Sequence, residues 1–238
     1  MDDKTKMILI GVGAFLLLLC FLLSIASTAG EKFMNKYMKL LDKTTTTPFT
    51  VAMFFNAVNL KYLENKVQVM SIDDPGGDFY NARRRVVGLN RTGQTSLASF
   101  AVVAHELGHA YQDIAENKLR SFNRARKCGM FIGKLFLPIV IVTIALLFFV
   151  ENYSLVLIAG GATLLFIILL AIIIKAKTIS IEKDASARGL ELLSGMLPDD
   201  EIKQCKKLLD SARLTYWADL IKLLFGWAGL TNKTKMFK

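Results

Sequence analysis

Three long apolar stretches limit what this chain can fold into. They run from Met7 to about Ala29, from Phe131 to Val150 and from Tyr153 to Ile174, and Lys134 is the only charged residue within them. A bilayer core about 30 Å thick requires on the order of 20 apolar residues in a helix. The stretches therefore predict three transmembrane helices, and the apolar fraction of 53% follows from them.

The first stretch also has features of a cleaved signal peptide. Lys4 and Lys6 precede it, and Ser27–Ala29 offers the small residues that a signal peptidase requires. Its apolar run, Ile8–Ile25, is longer than an ordinary signal core, and acids at positions 2 and 3 offset the basic flank. We therefore expect residues 1–29 to remain as an anchor.

Cations near the span ends predict the orientation, because positively charged loops stay in the cytoplasm. The hairpin tip 151–154 has no Lys or Arg, whereas nine cations flank the hairpin: Lys118, Arg120, Arg124, Arg126, Lys127, Lys175, Lys177, Lys183 and Arg188. The tip is predicted outside and both polar regions in the cytoplasm. Topology and anionic lipid account for the net charge of +10, and the sequence contains no nucleic-acid-binding motif.

Four segments follow from these spans: an anchor (1–30), a first polar part (31–130), the transmembrane hairpin (131–174) and a second polar part (175–238). Helices are predicted at 31–42, from Pro48 to about Leu63, from Thr95 or Ser96 onward, at about 179–193 and from Pro198 to about Arg213. Strands are predicted at 67–72 and 84–89, with a loop at 73–78 and an amphipathic tail at 214–230. Cys20, Cys128 and Cys205 have no paired spacing and are expected to be reduced thiols.

The helix after Ser96 contains His105-Glu106-Leu107-Gly108-His109, an HExxH motif. Residues four apart lie on one helix face, so both imidazoles can reach one tetrahedral zinc ion. Glu106 then lies beside the open coordination position, where it can act as general base toward a water molecule. The chain has only two histidines, and they stand at this spacing within an apolar segment.

A third protein ligand has to be a carboxylate, because no histidine remains. Glu116 lies two helical turns beyond His109, too far along the same helix for a compact site. Glu182 and Asp184 follow the third span closely, and two crossings return the chain to the side where it left. Residues two apart on a helix point about 200° apart, so one of these acids can be the ligand while the other has a different role.

The motifs resemble those of YugP-type neutral membrane zinc metallopeptidases. The shared segments are Ala104–Ala110 (AHELGHA) and Glu182–Ser186 (EKDAS), in the family's order and with similar spacing. The resemblance implies an α-helical membrane protein with a small α+β zincin-like catalytic domain and a minor β-sheet. It further implies a metalloendopeptidase with one Zn²⁺ per chain, in the plasma membrane of a prokaryote, with a cytoplasmic catalytic domain.

More distantly, the chain is similar to HtpX-type and CAAX-processing membrane peptidases, in which the Glu of a similar helix is the third zinc ligand. This likeness implies that Glu182 is the ligand. Those relatives have an Asp where this chain has Ser186, so Asp184 and Ser186 both stay candidates for the partner of a zinc-binding histidine. The likeness also implies a substrate-binding edge strand at Asn81, Ala82, Arg83, Arg84 and Arg85, to which a peptide adds as an extra strand.

Three further expectations complete the interpretation. Tyr216 is a candidate for stabilising the oxyanion, although packing in the tail is the simpler role. The expected partners are a peptide or membrane-protein substrate and the lipid bilayer, and the sequence contains no signal for an oligomeric state. A zinc-binding scaffold or regulator without turnover is the alternative function, whereas a transporter is disfavoured because the spans have almost no polar residues.

Overall fold

The computed structural model describes residues 3–72, 78–89, 95–117 and 119–225. In these residues the protein is mostly helical with one small sheet. The elements are, in order, α1 (Asp3–Leu41), α2 (Val51–Tyr62), β1 (Gln68–Ser71), β2 (Phe79–Asn81), β3 (Val86–Leu89), α3 (Leu97–Ile114), α4 (Leu119–Lys134), α5 (Phe136–Phe149), α6 (Tyr153–Leu193) and α7 (Asp199–Phe225).

The described residues divide into two compact units. The first comprises residues 3–30, 125–177 and 215–225, and the second comprises 31–72, 78–89, 95–117, 119–124 and 178–214. Residues 215–225 of the chain thus group with the apolar helices.

The first unit contains the apolar helices. Two helical stretches, Phe122–Phe149 and Tyr153–Leu193, are long and apolar enough to cross a membrane, and α1 contains the first predicted span in helical form. Many of their large apolar side chains are exposed, such as Phe149 at 85%. This exposure is what a surface in contact with lipid requires, and it suggests membrane association.

The second predicted span is not one uninterrupted helix. Helix α4 ends at Lys134 and α5 begins at Phe136, with Leu135 between them. Pro138 explains the break, because it has no backbone N–H and its ring would clash with the carbonyl of residue 134 in a continuous helix.

The second unit contains the sheet, in the order β1-β3-β2. β1 runs parallel to β3 and β2 runs antiparallel to it, with Val69 and Tyr80 both in register with Val87. The strand predicted at 67–72 is confirmed as β1. β2 was not predicted, because three residues are too few for an alternating pattern to be visible.

The strand predicted from Arg84 begins only at Val86. Residues 82–85 form a turn between β2 and β3, in which Asn81 Oδ1 accepts hydrogen bonds from the backbone N–H groups of Arg83 and Arg84, both at 3.1 Å. Arg85 has a φ of 53°, which closes the turn and is incompatible with a strand. The prediction that Ala82–Arg85 is extended is therefore wrong.

Helix α3 is the centre of the second unit's core. The side chain of its N-cap, Ser96, accepts a hydrogen bond from the backbone N–H of Ser99, as the predicted start requires. Most of its apolar side chains are buried with those of α2, β3 and α7, in a cluster that includes Phe54, Val87, Leu89, Phe100, Val103, Leu107 and Leu208. The core thus encloses the helix that contains the HExxH motif.

Several other helix boundaries differ from the predictions. The helices predicted at 31–42 and 179–193 are the C-terminal parts of α1 and α6, not separate helices. α2 begins at Val51 with Thr50 as its N-cap, not at Pro48. α7 continues past Arg213 to Phe225, so the predicted tail begins as part of α7, while residues 73–77 of the predicted loop and 226–230 of the tail lie outside the described residues.

The cysteines carry little further information. Cys128 is exposed and Cys205 is buried, and both are free thiols. The side chain of Cys20 lies outside the described part of the structure.

Candidate metal centre

Helix α3 presents His105 and His109 side by side. Their ring centroids are 4.7 Å apart, as expected for residues one helical turn apart. His105 is 5% exposed and Glu106 4% exposed, so the HExxH motif lies in the interior of the second unit.

Helix α6 brings Glu182 to both histidines. Its Oε2 lies 3.1 Å from His105 Nε2 and 3.1 Å from His109 Nε2. One ligand atom from each of the three residues lies within 4.8 Å of the others. Two imidazoles and one carboxylate thus converge, the donor set of a catalytic zinc site that leaves a fourth position open.

Small residues allow α3 and α6 to approach closely at this point. A Cβ atom added to Gly108 would overlap the carbonyl oxygen of Ala185, and one added to Gly189 would overlap that of Ala104. Ala104 and Ala185 are themselves fully buried. The glycine in the HExxH motif therefore lets the backbone of α6 come close enough for Glu182 to reach the histidines.

The charges of His109 and Glu182 depend on each other. Burial would lower the pKa of His109, but the neighbouring Glu182 carboxylate outweighs it and raises that pKa to about 9. Burial would likewise raise the pKa of Glu182, but His109 and His105 hold it well below its usual range. In the absence of a metal ion, the carboxylate is therefore ionised and held by a protonated imidazole.

Glu106 has a different environment. Burial is the main cause that raises its pKa, while the two histidines oppose the rise and the acids Glu182 and Asp78 add to it. Asp78 is itself only 1% exposed. A carboxyl with a raised pKa binds a proton more readily than a free carboxyl, and a general base that later acts as an acid requires this property.

Each histidine also has a partner at its other ring nitrogen. His105 Nδ1 lies 3.0 Å from Ser186 Oγ, and His109 Nδ1 lies 3.0 Å from Gln112 Oε1. Such partners fix the orientation of a ligating imidazole and leave Nε2 for the metal. The donor set, its burial and these partners all fit a zinc ion.

The comparison with protein families agrees with this geometry. A family model described as "Putative neutral zinc metallopeptidase" matches residues 12–229, which is nearly the whole chain. The chain belongs to this family. No curated protein and no solved structure matches the chain. The resemblance to the YugP-type peptidases is thereby confirmed, and membership of the family implies zinc as the metal.

In this member of the zinc metallopeptidase family, both residues that were candidates for contacting a zinc-binding histidine lie near the site. Ser186 contacts His105 directly, whereas Asp184 reaches His109 through Gln112, whose Nε2 donates to Asp184 Oδ2 at 2.7 Å. Gln112 was not predicted. Its signal was present in the sequence, since it is a polar residue one turn after His109 on the same helix face.

The other predicted residues lie elsewhere. Of the residues expected to form the substrate edge, only Asn81 belongs to a strand, β2, and the remaining four form the turn after it. Tyr216 lies on α7 in the first unit, where Lys175 Nζ is 5.4 Å from the centre of its ring. Glu116, which was rejected as a ligand, pairs with Arg188.

Proposed function

We propose that this protein is a membrane-anchored zinc metalloendopeptidase with one zinc ion per chain on His105, His109 and Glu182. The observation that supports this most directly is the convergence of two Nε2 atoms and one carboxylate oxygen, each histidine held at its other nitrogen. Zinc bound there would polarise the scissile carbonyl and lower the pKa of the attacking water.

Glu106 has the role of general base in this proposal. It is the residue next to His105 on α3, buried, and its raised pKa favours uptake of a proton on its carboxylate. The same carboxyl group then donates this proton to the nitrogen of the leaving amine. Glu106 therefore moves the proton but does not bind the metal.

We further propose that the substrate, a peptide or a segment of a membrane protein, adds to the edge of the sheet at β2. Within the described residues β2 is an edge strand of the sheet, which is the position where an extended peptide can add as a further strand. Tyr80 of this strand donates a hydrogen bond to Asp113 of α3 at 2.9 Å, which ties the strand to the histidine helix. Arg83, Arg84 and Arg85 follow in the turn.

The membrane location is part of the proposal. Its support is the pair of long apolar helices and their exposed apolar side chains. Glu182 follows Ile174, the end of the third predicted span, by eight residues in the same helix, α6. The distribution of cations around the hairpin supports a cytoplasmic site, and the family resemblance supports the plasma membrane of a prokaryote.

Metal analysis and single substitutions test the catalytic proposal. Purified protein is expected to contain about one zinc per chain, and His105→Ala or Glu182→Gln to lose it. Glu106→Gln is expected to keep zinc but lose hydrolysis of a peptide library. Glu191→Gln, an exposed position on α6, is the matched control and should keep both properties.

The outcomes separate the proposal from its alternative. Well-folded protein without zinc would refute the metal site. Full zinc content with no hydrolysis, and no difference between the wild type and Glu106→Gln, would identify a zinc-binding scaffold or regulator. If hydrolysis is found, the membrane proteomes of cells with active enzyme and with Glu106→Gln should differ in the natural substrates.

A further inference from the structure

Gln112 occupies a special position in the second unit. It is 2% exposed, and it lies on α3 three residues after His109, on the side that faces α6. Its amide forms hydrogen bonds with His109 Nδ1 at 3.0 Å, with the carbonyl oxygen of Ile181 at 2.9 Å and with Asp184 Oδ2 at 2.7 Å.

These partners are compatible with only one orientation of the Gln112 amide. The Ile181 carbonyl and the Asp184 carboxylate are acceptors, so both must face the NH₂ group of Gln112. Its oxygen then faces His109 and can only accept. When His109 is neutral, as a metal ligand must be, its ring proton therefore lies on Nδ1, which leaves the lone pair of Nε2 for the metal.

The acceptor at Asp184 is itself held in place. Arg188 Nε donates to Asp184 Oδ2 at 2.9 Å, and the guanidinium also pairs with Glu116 of α3 and lies 4.9 Å from the centre of the Tyr111 ring. A carboxylate that already accepts from a guanidinium stays an acceptor. The amide of Gln112 therefore keeps its NH₂ group toward Asp184.

The same contacts also fix α6. Ile181 and Asp184 flank Glu182 in the chain, so the NH₂ group of Gln112 holds the turn of α6 that presents the third ligand. We propose that Gln112 is a positioning residue that sets the tautomer of His109 and the position of Glu182 together. This inference rests on the proposed zinc site and adds a residue that binds no metal itself.

Ser186 differs from Gln112 in this respect. Its hydroxyl can donate or accept, and it contacts only His105 of the two histidines. Loss of Ser186 should therefore loosen one ligand, whereas loss of Gln112 should disturb two. Comparison of the two substitutions therefore separates the loss of any hydrogen bond to a histidine Nδ1 from the specific role of Gln112.

The test uses full-length protein with ¹⁵N-labelled histidine, because the chain has only two histidines and both are candidate ligands. In zinc-loaded wild type, two imidazoles bound through Nε2 are expected, with a slowly exchanging Nδ1–H on His109. Gln112→Met, similar in size but without hydrogen bonds, should lose this protected proton. Its zinc affinity, measured by chelator competition, should fall about 10- to 100-fold.

Matched variants make the result specific. Gln68→Met, on the exposed strand β1, should change neither measurement. Ser186→Ala should alter the His105 signal, leave the His109 proton in place and weaken zinc binding less than Gln112→Met. Asp184→Asn removes the fixed acceptor with little change of shape, and it should speed exchange of the His109 proton even if Gln112→Met fails to fold.

The results that would overturn the inference are distinct from those that concern the enzyme. If wild type binds zinc and Gln112→Met binds it within twofold as tightly, or keeps the protected His109 proton, Gln112 has no positioning role. An unchanged proton in Asp184→Asn has the same meaning. If wild-type protein binds no zinc at all, the proposed function and this inference both fail.

Discussion

At the residue scale, the proton on His109 links metal binding to pH. The pKa of His109 is about 9 when no metal is bound, because burial lowers this pKa less than the Glu182 carboxylate raises it. Zinc requires a neutral imidazole, so below pH 9 it must displace this proton. Zinc affinity should therefore rise about tenfold per pH unit between pH 7 and 9 and level off above.

Calorimetry measures this linkage directly. Titration of zinc into metal-free protein at pH 7.5, in buffers with different ionisation enthalpies, should show release of about one proton from His109. Glu182 contributes none, because its pKa is well below the usual range and it is already ionised. Equal binding heats in all buffers would contradict the proposed His109–Glu182 pair.

The residues of the site differ in how far the sequence could predict them. His105, Glu106 and His109 are local to one helix, so their spacing alone predicted that they lie together. Asp184 and Ser186 could not be ranked from sequence, and the structure gives each a different histidine to support. The contacts of Gln112 with Ile181 and Asp184 span 69 and 72 residues, and no local pattern encodes such distances.

At the element scale, the crossing of α3 and α6 determines whether the ligands meet. Gly108→Ala would place a methyl group against the carbonyl of Ala185, and the fully packed helices would have to separate. We expect a loss of about 1–3 kcal/mol in unfolding free energy, as for other overpacked sites. Zinc affinity should fall as well, since Glu182 moves with α6.

A second glycine provides the control. Gly161 lies on α6 with nothing within 4 Å of an added Cβ, so Gly161→Ala should not reduce stability or zinc affinity. Thermal unfolding and chelator competition on both variants measure the two effects. Equal behaviour of Gly108→Ala and Gly161→Ala would show that the close approach is not required.

Glu201 of α7 holds the segment between α1 and α2. It is 2% exposed and accepts hydrogen bonds from Thr45 Oγ1, from the backbone N–H of Thr46 and from Thr46 Oγ1. Burial would raise its pKa, but these donors outweigh it and the pKa is lowered. Glu201→Gln should cost about 2 kcal/mol, or roughly 4–8 °C in Tm.

The pH dependence of this effect has a definite sign. A carboxyl with a lowered pKa in the folded state stabilises the protein above its ordinary pKa, and the gain disappears as pH falls through the lowered value. The Tm difference between wild type and Glu201→Gln should therefore be full at pH 7 and shrink below about pH 4. A difference that stays constant with pH would mean that the charge of Glu201 contributes nothing.

The elements show why some boundaries were predictable and others were not. A cap residue such as Ser96 marks a helix start locally, and α3 begins there as predicted. The start of α2 was misplaced at Pro48 because the hydroxyl residues Thr45 and Thr46 before it do not cap this helix; they bind Glu201, more than 150 residues away. A sequence pattern also cannot show whether two adjacent helices join, as the predicted span and ligand helix do in α6.

At the scale of the whole molecule, the distribution of charge predicts how the chain crosses the membrane. The hairpin tip contains Glu151 and no cation, whereas Lys127 precedes α5 and Lys175 and Lys177 follow the apolar part of α6. Because loops rich in cations tend to stay in the cytoplasm, we expect the tip to be exported. Because two crossings return the chain to its starting side, all ligands of the proposed zinc site should be cytoplasmic.

Reporter fusions test this arrangement. Alkaline phosphatase, which folds only after export, should be active when fused after Asn152 and inactive when fused after Lys177; a fluorescent protein that requires the cytoplasm should give the reverse. Replacing Lys175 and Lys177 by Gln should weaken this bias, since cations within about 15–20 residues of a span end set its orientation. Active phosphatase after Lys177 in the wild-type chain would place the zinc ligands outside the cytoplasm, and the substrates would then have to be sought among exported proteins.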